Sequence, residues 1–175
     1  MGGVPMDAKQ AIQHGLGSTT RSAEKTISGL TPEELEWHPR PDANSIGLIL
    51  FHMARSEDSF VQRMLQQKSQ IWETGKWYER LHKEAADRGS HYTAEQVASF
   101  RVPELKDLQE YTTAVRQTTL EYLNGLTADD LDRKVDVPFL SAPTVGSMLM
   151  LVVTHLSQHA GDISYLRGLK RGMDK

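Results

Sequence analysis

The chain has 175 residues, of which 38% are hydrophobic and 25% are charged, a composition typical of one globular domain. Its net charge is −3 with both signs mixed along the sequence, so neither nucleic acid nor an anionic membrane surface is an expected partner. The absence of cysteine excludes disulfides, zinc–thiolate sites and a cysteine nucleophile. Histidines and carboxylates therefore remain as the available metal ligands.

Residues 1–6 are expected to form an N-terminal tail, and 7–175 a single domain. No apolar run reaches the ~18 residues that a transmembrane helix needs, and the first residues show no signal-peptide pattern. We therefore expect a cytoplasmic protein that does not bind a membrane.

Apolar residues recur at helical spacing in four long segments, which predicts four amphipathic helices. The first segment closes at Gly29. Ser45 caps the second, which is expected over 46–67. Pro103 starts the third, and Thr144 caps the fourth.

The connections carry weaker signals. Capping patterns that begin at Thr31 and Thr93 predict short helices, and 135–140 is expected to be a loop. Residues 68–92 have little periodicity and are expected to be an irregular crossover that can contain a short helix. Their aromatic residues either line a pocket or pack the crossover onto the bundle: Trp72, Trp77 and Tyr78. The fold class is thus all-α, a four-helix bundle with short extra helices in the connections.

His155 and His159 are the first candidate metal ligands. They are four residues apart on the most regular predicted helix, which places both imidazoles on one face, as two ligands of one ion require. Both fall on the predicted inner stripe of that helix. An unpaired ring there would cost about 1–3 kcal/mol, and a metal would satisfy both rings.

His52, beside the apolar stripe of the second helix, is the third candidate ligand; taken alone, it is equally a histidine at the edge of the core. Three imidazoles with open coordination positions are typical of a catalytic metal site. Ser56 and Asp162 are placed to orient an imidazole, and Asp162 is also the one candidate for a catalytic base, with a solvated carboxylate as the alternative. Glu57 is expected to face outward or to pair with a basic neighbour. Surface or loop positions are expected for the other histidines: His14, His38, His82 and His91.

Four segments together carry a resemblance to a known family: LEWHP at 35–39, NSIGLILFHM at 44–53, THLSQHAGDI at 154–163 and YLRG at 165–168. Their order and separation resemble the DinB-like superfamily of metalloenzymes, over about residues 8–169. The resemblance implies a bundle with an up-down-down-up arrangement of helices, often dimeric. It also implies a divalent ion, nickel or zinc, bound by three histidines that match His52, His155 and His159.

The family includes transferases that use a low-molecular-weight thiol such as mycothiol or bacillithiol. The resemblance therefore implies a metal-dependent S-transferase that acts on a small molecule, as a homodimer, with the sulfur supplied from outside this cysteine-free chain. Two alternatives stay open. One is a non-catalytic helical module that binds a metal or small molecule and dimerises, and the other is a metal-dependent hydrolase with Asp162 as its base.

Overall fold

The computed structural model describes residues 6–137 and 139–172, so the predicted tail at 1–6 lies outside the described residues except for Met6. The helices are, in chain order, α1 (Ala8–Ile27), α2 (Pro32–Glu36), α3 (Ile46–Asp58, followed by a π-helix over Ser59–Leu65), α4 (Ile71–Thr74), α5 (Trp77–Arg80), α6 (Ala94–Ala98), α7 (Leu105–Gly125), a 3-10 turn (Asp129–Asp132) and α8 (Val145–Arg171). The all-α prediction is confirmed. The described part of 135–140 is a loop beside an isolated bridge from Lys134 to Thr144.

The predicted capping residues begin the helices as expected. At α2 the Thr31 hydroxyl accepts from the Glu34 amide, and the Glu34 carboxylate accepts from the Thr31 amide at 2.8 Å. Thr93 and Thr144 cap α6 and α8 with the same reciprocal pattern, and Ser45 caps α3. Each pattern satisfies amides that would otherwise lack a partner in the first turn, which fixes where each helix starts.

Helices α1 and α8 pack side by side and run in the same direction. Gly15 lies against Val153, and eleven residues further along each helix the Thr26 hydroxyl is 3.2 Å from the Ser164 hydroxyl. Because both contacts have the same offset in sequence, the two helices are parallel.

Helix α7 runs opposite to α1 and parallel to α3. Lys9, near the start of α1, donates to the carbonyl of Asn124, at the end of α7. Arg116, in the middle of α7, donates to the hydroxyl of Thr20, farther along α1. Gly47, at the start of α3, lies against Val102 just before α7, and farther along both helices Glu57 pairs with Arg116. The long helices are therefore arranged up, down, down, up, as the family resemblance implies.

The crossover between α3 and α7 packs onto the bundle through a hydrophobic cluster of its own. Trp72 is 1% exposed, and its ring contacts Phe51 of α3 and Tyr111 of α7. Trp77 and Tyr78 pack against the same cluster. Of the two interpretations of these aromatic residues, the structure supports packing of the crossover.

The prediction of one regular α-helix over 46–67 is wrong in its last part, because the helix widens after Asp58 into a π-helix. The Gln66 amide donates to the Val61 carbonyl at 3.1 Å, five residues back in the chain. Val61 and Leu65 are still buried four residues apart, so the apolar spacing could not reveal the wider turn.

The predicted start of the third helix at Pro103 is also two residues early, since α7 begins at Leu105. None of the described helices is long and apolar enough to span a membrane.

Candidate metal centre

Three histidines from two helices meet at one point. The Nε2 atom of His155, on α8, is 3.2 Å from Nε2 of His52, on α3, and 3.3 Å from Nε2 of His159. One ligand nitrogen from each of the three rings lies within 4.8 Å of the others, so the group could hold a metal ion. These are the three histidines predicted from the sequence as metal ligands, and the structure brings them together.

Hydrogen bonds on the far side of two rings determine which nitrogen carries the proton. His52 Nδ1 lies 2.7 Å from the Gly89 carbonyl oxygen, and His159 Nδ1 lies 3.0 Å from an Asp162 carboxylate oxygen. A carbonyl and an ionised carboxylate can only accept, so both Nδ1 atoms donate. The Nε2 atom of each ring, which faces His155, is then the nitrogen that can offer a lone pair.

Protons alone cannot satisfy this cluster. If His155 Nε2 carries a proton, it can donate to only one of the two facing lone pairs. If the proton is on Nδ1 instead, it has no acceptor, because this buried atom has no hydrogen-bond partner within the described part of the chain. A tetrahedral ion with Zn–N distances of about 2.0–2.1 Å would separate its nitrogens by about 3.3 Å, close to the observed spacing. The donor set thus fits a divalent metal.

Burial keeps two of the rings in the form that binds a metal. It lowers the pKa of His155 to about 4, helped by the neighbouring His159 and His52, and it lowers the pKa of His52. Both rings are consequently neutral at neutral pH, so neither has to lose a second proton before a cation binds.

The prediction that His155 and His159 lie on the inner stripe of α8 needs a correction, because both are only half-buried at its border. The buried line of this helix is Met148, Leu149, Val152, Leu156, Ala160, Ile163 and Leu166. Leu156 and Ala160 directly follow the two histidines, and one residue is a rotation of about 100° around a helix. The rings therefore face the edge of the core, and His155 lines a cavity that opens there.

Gly89 completes the centre and was not found by sequence reasoning. Its φ of +68° suits glycine, and an added Cβ would lie 2.6 Å from Cβ and Cγ of Arg55. Arg55 is 3% exposed and fixes this part of the crossover by donating to the Asp87 carbonyl at 3.0 Å. No local pattern could indicate the contact, since Gly89 and His52 are 37 residues apart.

Two polar residues of α3 beside His52 have different environments. The Ser56 hydroxyl is 3.4 Å from His52 Nε2, next to the imidazole as predicted. Glu57 is 1% exposed and forms two 2.8 Å hydrogen bonds to Arg116. Its predicted pairing with a basic residue is confirmed, whereas the outward orientation offered as the alternative is wrong, because α1 and α7 cover this face of α3.

A cavity of about 360 Å³ opens beside the histidines and is lined in part by His52, His155 and the loop residue His91. Phe60, from the π-helix, packs edge-on against His155 with 5.6 Å between ring centroids. A larger cavity, about 540 Å³, lies between α1 and α7 and has mainly apolar walls, but none of the three histidines lines it. The smaller cavity therefore has the better claim to be the functional one.

Comparison with known proteins agrees with this geometry. A sequence model of the DinB superfamily matches residues 16–163, which include all three histidines. The chain belongs to the DinB superfamily. The crystal structure of a conserved protein from Enterococcus faecalis superposes on this DinB-superfamily chain with a TM-score of 0.82 and 24% identity, covering 94% of this chain and 98% of the other. That likeness shows the fold. No curated protein sequence matches the chain.

Proposed function

We propose that this protein binds one divalent ion, nickel or zinc, through His52, His155 and His159, and uses it as a metal-dependent enzyme of the low-molecular-weight-thiol S-transferase type. The observation that carries the proposal is the convergence of three Nε2 atoms at the edge of a cavity large enough for a small substrate. Membership of the DinB superfamily supports it.

The number of ligands favours catalysis over a structural metal. Within the described residues, the group that could hold an ion consists of three histidines and includes no carboxylate. Structural zinc sites usually have four protein ligands, whereas catalytic sites have three and leave a position for a substrate. When bound, the ion would lower the pKa of a coordinated thiol, so that its sulfur becomes a nucleophile toward an electrophilic substrate.

The protein's own residues orient the rings and shape the space. The Gly89 carbonyl and the Asp162 carboxylate fix the rotations of His52 and His159. Phe60, Met64 and Phe139 contribute apolar side chains to the cavity lining, against which the carbon skeleton of an electrophile can pack.

The hydrolase alternative depends on Asp162 as a base. Its carboxylate is bonded to Nδ1 of His159, the ring nitrogen that faces away from the cluster, and its side chain is 58% exposed. That contact supports an orienting role for Asp162. We therefore favour the transferase over the hydrolase.

The test is thiol transfer by metal-loaded protein. Conjugation of bacillithiol, mycothiol or cysteine to a small electrophile such as monochlorobimane is followed with zinc-loaded and nickel-loaded protein. Turnover is expected for wild type and for His14→Ala, an exposed control, and is expected to be lost in His155→Ala. A metal-loaded wild-type protein that transfers none of the thiols to a panel of electrophiles would favour the non-catalytic module.

A homodimer and a cytoplasmic location belong to the same proposal. Low-molecular-weight thiols are kept reduced in the cytosol, where such an enzyme would find its cosubstrate.

The larger cavity between α1 and α7 is the surface that we assign to the second copy of the chain. Its apolar side chains, including Ala23, Leu105 and Leu120, are only partly buried. Sedimentation equilibrium should give twice the chain mass of 19.7 kDa, and Leu120→Glu should give a monomer.

A further inference from the structure

The charge of the cavity beside the histidines is unlike that of the whole chain. The protein has 23 acidic and 20 basic residues, yet the described residues that line this cavity include three arginines and no aspartate or glutamate. The arginines are Arg55, Arg63 and Arg88. A cavity with such a lining has a positive potential, which attracts anions.

One of the three arginines already has partners. Arg55 is buried and donates to Gln70 at 2.8 Å and to Tyr111 at 3.1 Å, and it lies 3.4 Å from the Asp58 carboxylate. Its guanidinium also stacks on Trp72, 4.3 Å from the ring centroid. Arg55 therefore holds the crossover in place, and its charge is largely compensated.

The other two arginines remain available. Arg63 and Arg88 are exposed at the cavity, and neither forms a salt bridge or side-chain hydrogen bond within the described residues. They come from different segments, Arg63 from the π-helix after α3 and Arg88 from the crossover beside Gly89. Two unpaired guanidinium groups on one small cavity are available to bind an oxyanion.

The π-helix explains how Arg63 reaches the cavity. Four of its seven residues line the cavity: Ser59, Phe60, Arg63 and Met64. Such wide turns occur frequently at functional sites. Here the wide turn supplies one cation, one hydroxyl and two apolar side chains beside His155, a combination that suits an organic anion better than an inorganic ion.

We propose that the cavity beside the three histidines binds a small organic molecule through an oxyanion, a carboxylate or a phosphate, with Arg63 and Arg88 as specificity-determining residues. The inference rests on the proposed function, because it assigns the charge of the thiol or electrophile that reaches the metal. A volume of about 360 Å³ admits a molecule of this kind and excludes a macromolecule.

The test uses the full chain loaded with cobalt(II), whose absorption spectrum reports thiol binding. The probes are 3-mercaptopropionate, which is anionic, and 3-mercapto-1-propanol, which is neutral and of similar size. At low salt we expect the anionic thiol to bind about tenfold more tightly. Arg63→Gln and Arg88→Gln should each reduce that preference about two- to fivefold, whereas Arg101→Gln, an exposed arginine outside the cavity, should leave it unchanged.

The outcomes separate this inference from the proposed function. Protein that binds no cobalt would overturn both. Protein that binds cobalt but binds the two thiols with equal affinity would overturn the anion site alone. A preference for the anionic thiol that survives Arg63→Gln and Arg88→Gln together would do the same. Acetate and inorganic phosphate, titrated as competitors, identify the oxyanion, and failure of both to displace 3-mercaptopropionate would also count against the site. Circular dichroism confirms that each variant is folded.

Discussion

Replacing Gly89 by alanine is expected to weaken both the fold and the metal site. The backbone of Gly89 has a φ of +68°, which costs about 1–2 kcal/mol for an L-residue with a side chain. The new Cβ would lie 2.6 Å from two carbons of Arg55, and that crowding adds about 1–3 kcal/mol. Arg55 cannot easily yield, because its guanidinium is fixed by Gln70 and Tyr111.

The same substitution should reach the metal through His52. A shift of the Gly89 carbonyl removes the acceptor that orients the His52 ring, and loss of such a partner typically costs about 10–100-fold in metal affinity. We therefore expect Gly89→Ala to lower the free energy of unfolding of metal-free protein by about 2–5 kcal/mol. Its affinity for zinc should fall by at least about tenfold.

Gly29→Ala is the matched control. Gly29 has a φ of +71° and nothing within 4 Å of an added Cβ, so this variant has the backbone strain without the clash and without a contact to a ligand. Urea denaturation measures stability, and competition with a chromophoric chelator measures zinc affinity. Equal zinc affinities for the two variants and wild type would refute the role assigned to the Gly89 carbonyl.

Further predictions concern the charges around the centre. The pKa of His155 is lowered to about 4 in the folded protein, so the unfolded chain binds more protons as the pH falls below about 6.5. Metal-free protein should therefore lose about 1–2 kcal/mol of stability between pH 7 and pH 4.5, allowing for solvent screening. Urea titrations of wild type and His155→Ala should show a smaller loss in the variant. Arg116→Ala leaves the Glu57 carboxylate buried and unpaired and should lower the free energy of unfolding by about 3–5 kcal/mol. Arg40→Ala breaks an exposed pair with Asp42 and should cost less than about 1 kcal/mol, so equal costs in thermal unfolding would contradict this difference in burial. Asp162→Asn should weaken zinc binding by about tenfold with little change in the free energy of unfolding. Unchanged zinc affinity would show that the Asp162 carboxylate does not orient His159.

The sequence determines much of this structure through local signals. The hydroxyl caps at Thr31, Ser45, Thr93 and Thr144 act within three residues of chain, so the starts of the helices they cap could be predicted. The His155–His159 pair was visible for the same reason, because one turn of helix sets its geometry.

Features that depend on contacts distant in sequence could not be predicted in this way. Gly89 reaches His52 only because the crossover folds back over α3, and Glu57 is buried because α7 brings Arg116 to it. No local pattern indicates that Arg88 lies beside Arg63 and the histidines, because only the fold of the crossover brings it there. The family resemblance supplied His52 as a ligand; spacing alone left its role open.

The metal content of the purified protein shows whether the three histidines bind an ion. Inductively coupled plasma mass spectrometry is applied to protein without a polyhistidine tag, with His159→Ala and the exposed control His14→Ala beside wild type. We expect about one divalent ion per chain in wild type and His14→Ala and none in His159→Ala. Wild type that remains free of metal after incubation with zinc and with nickel would contradict the account.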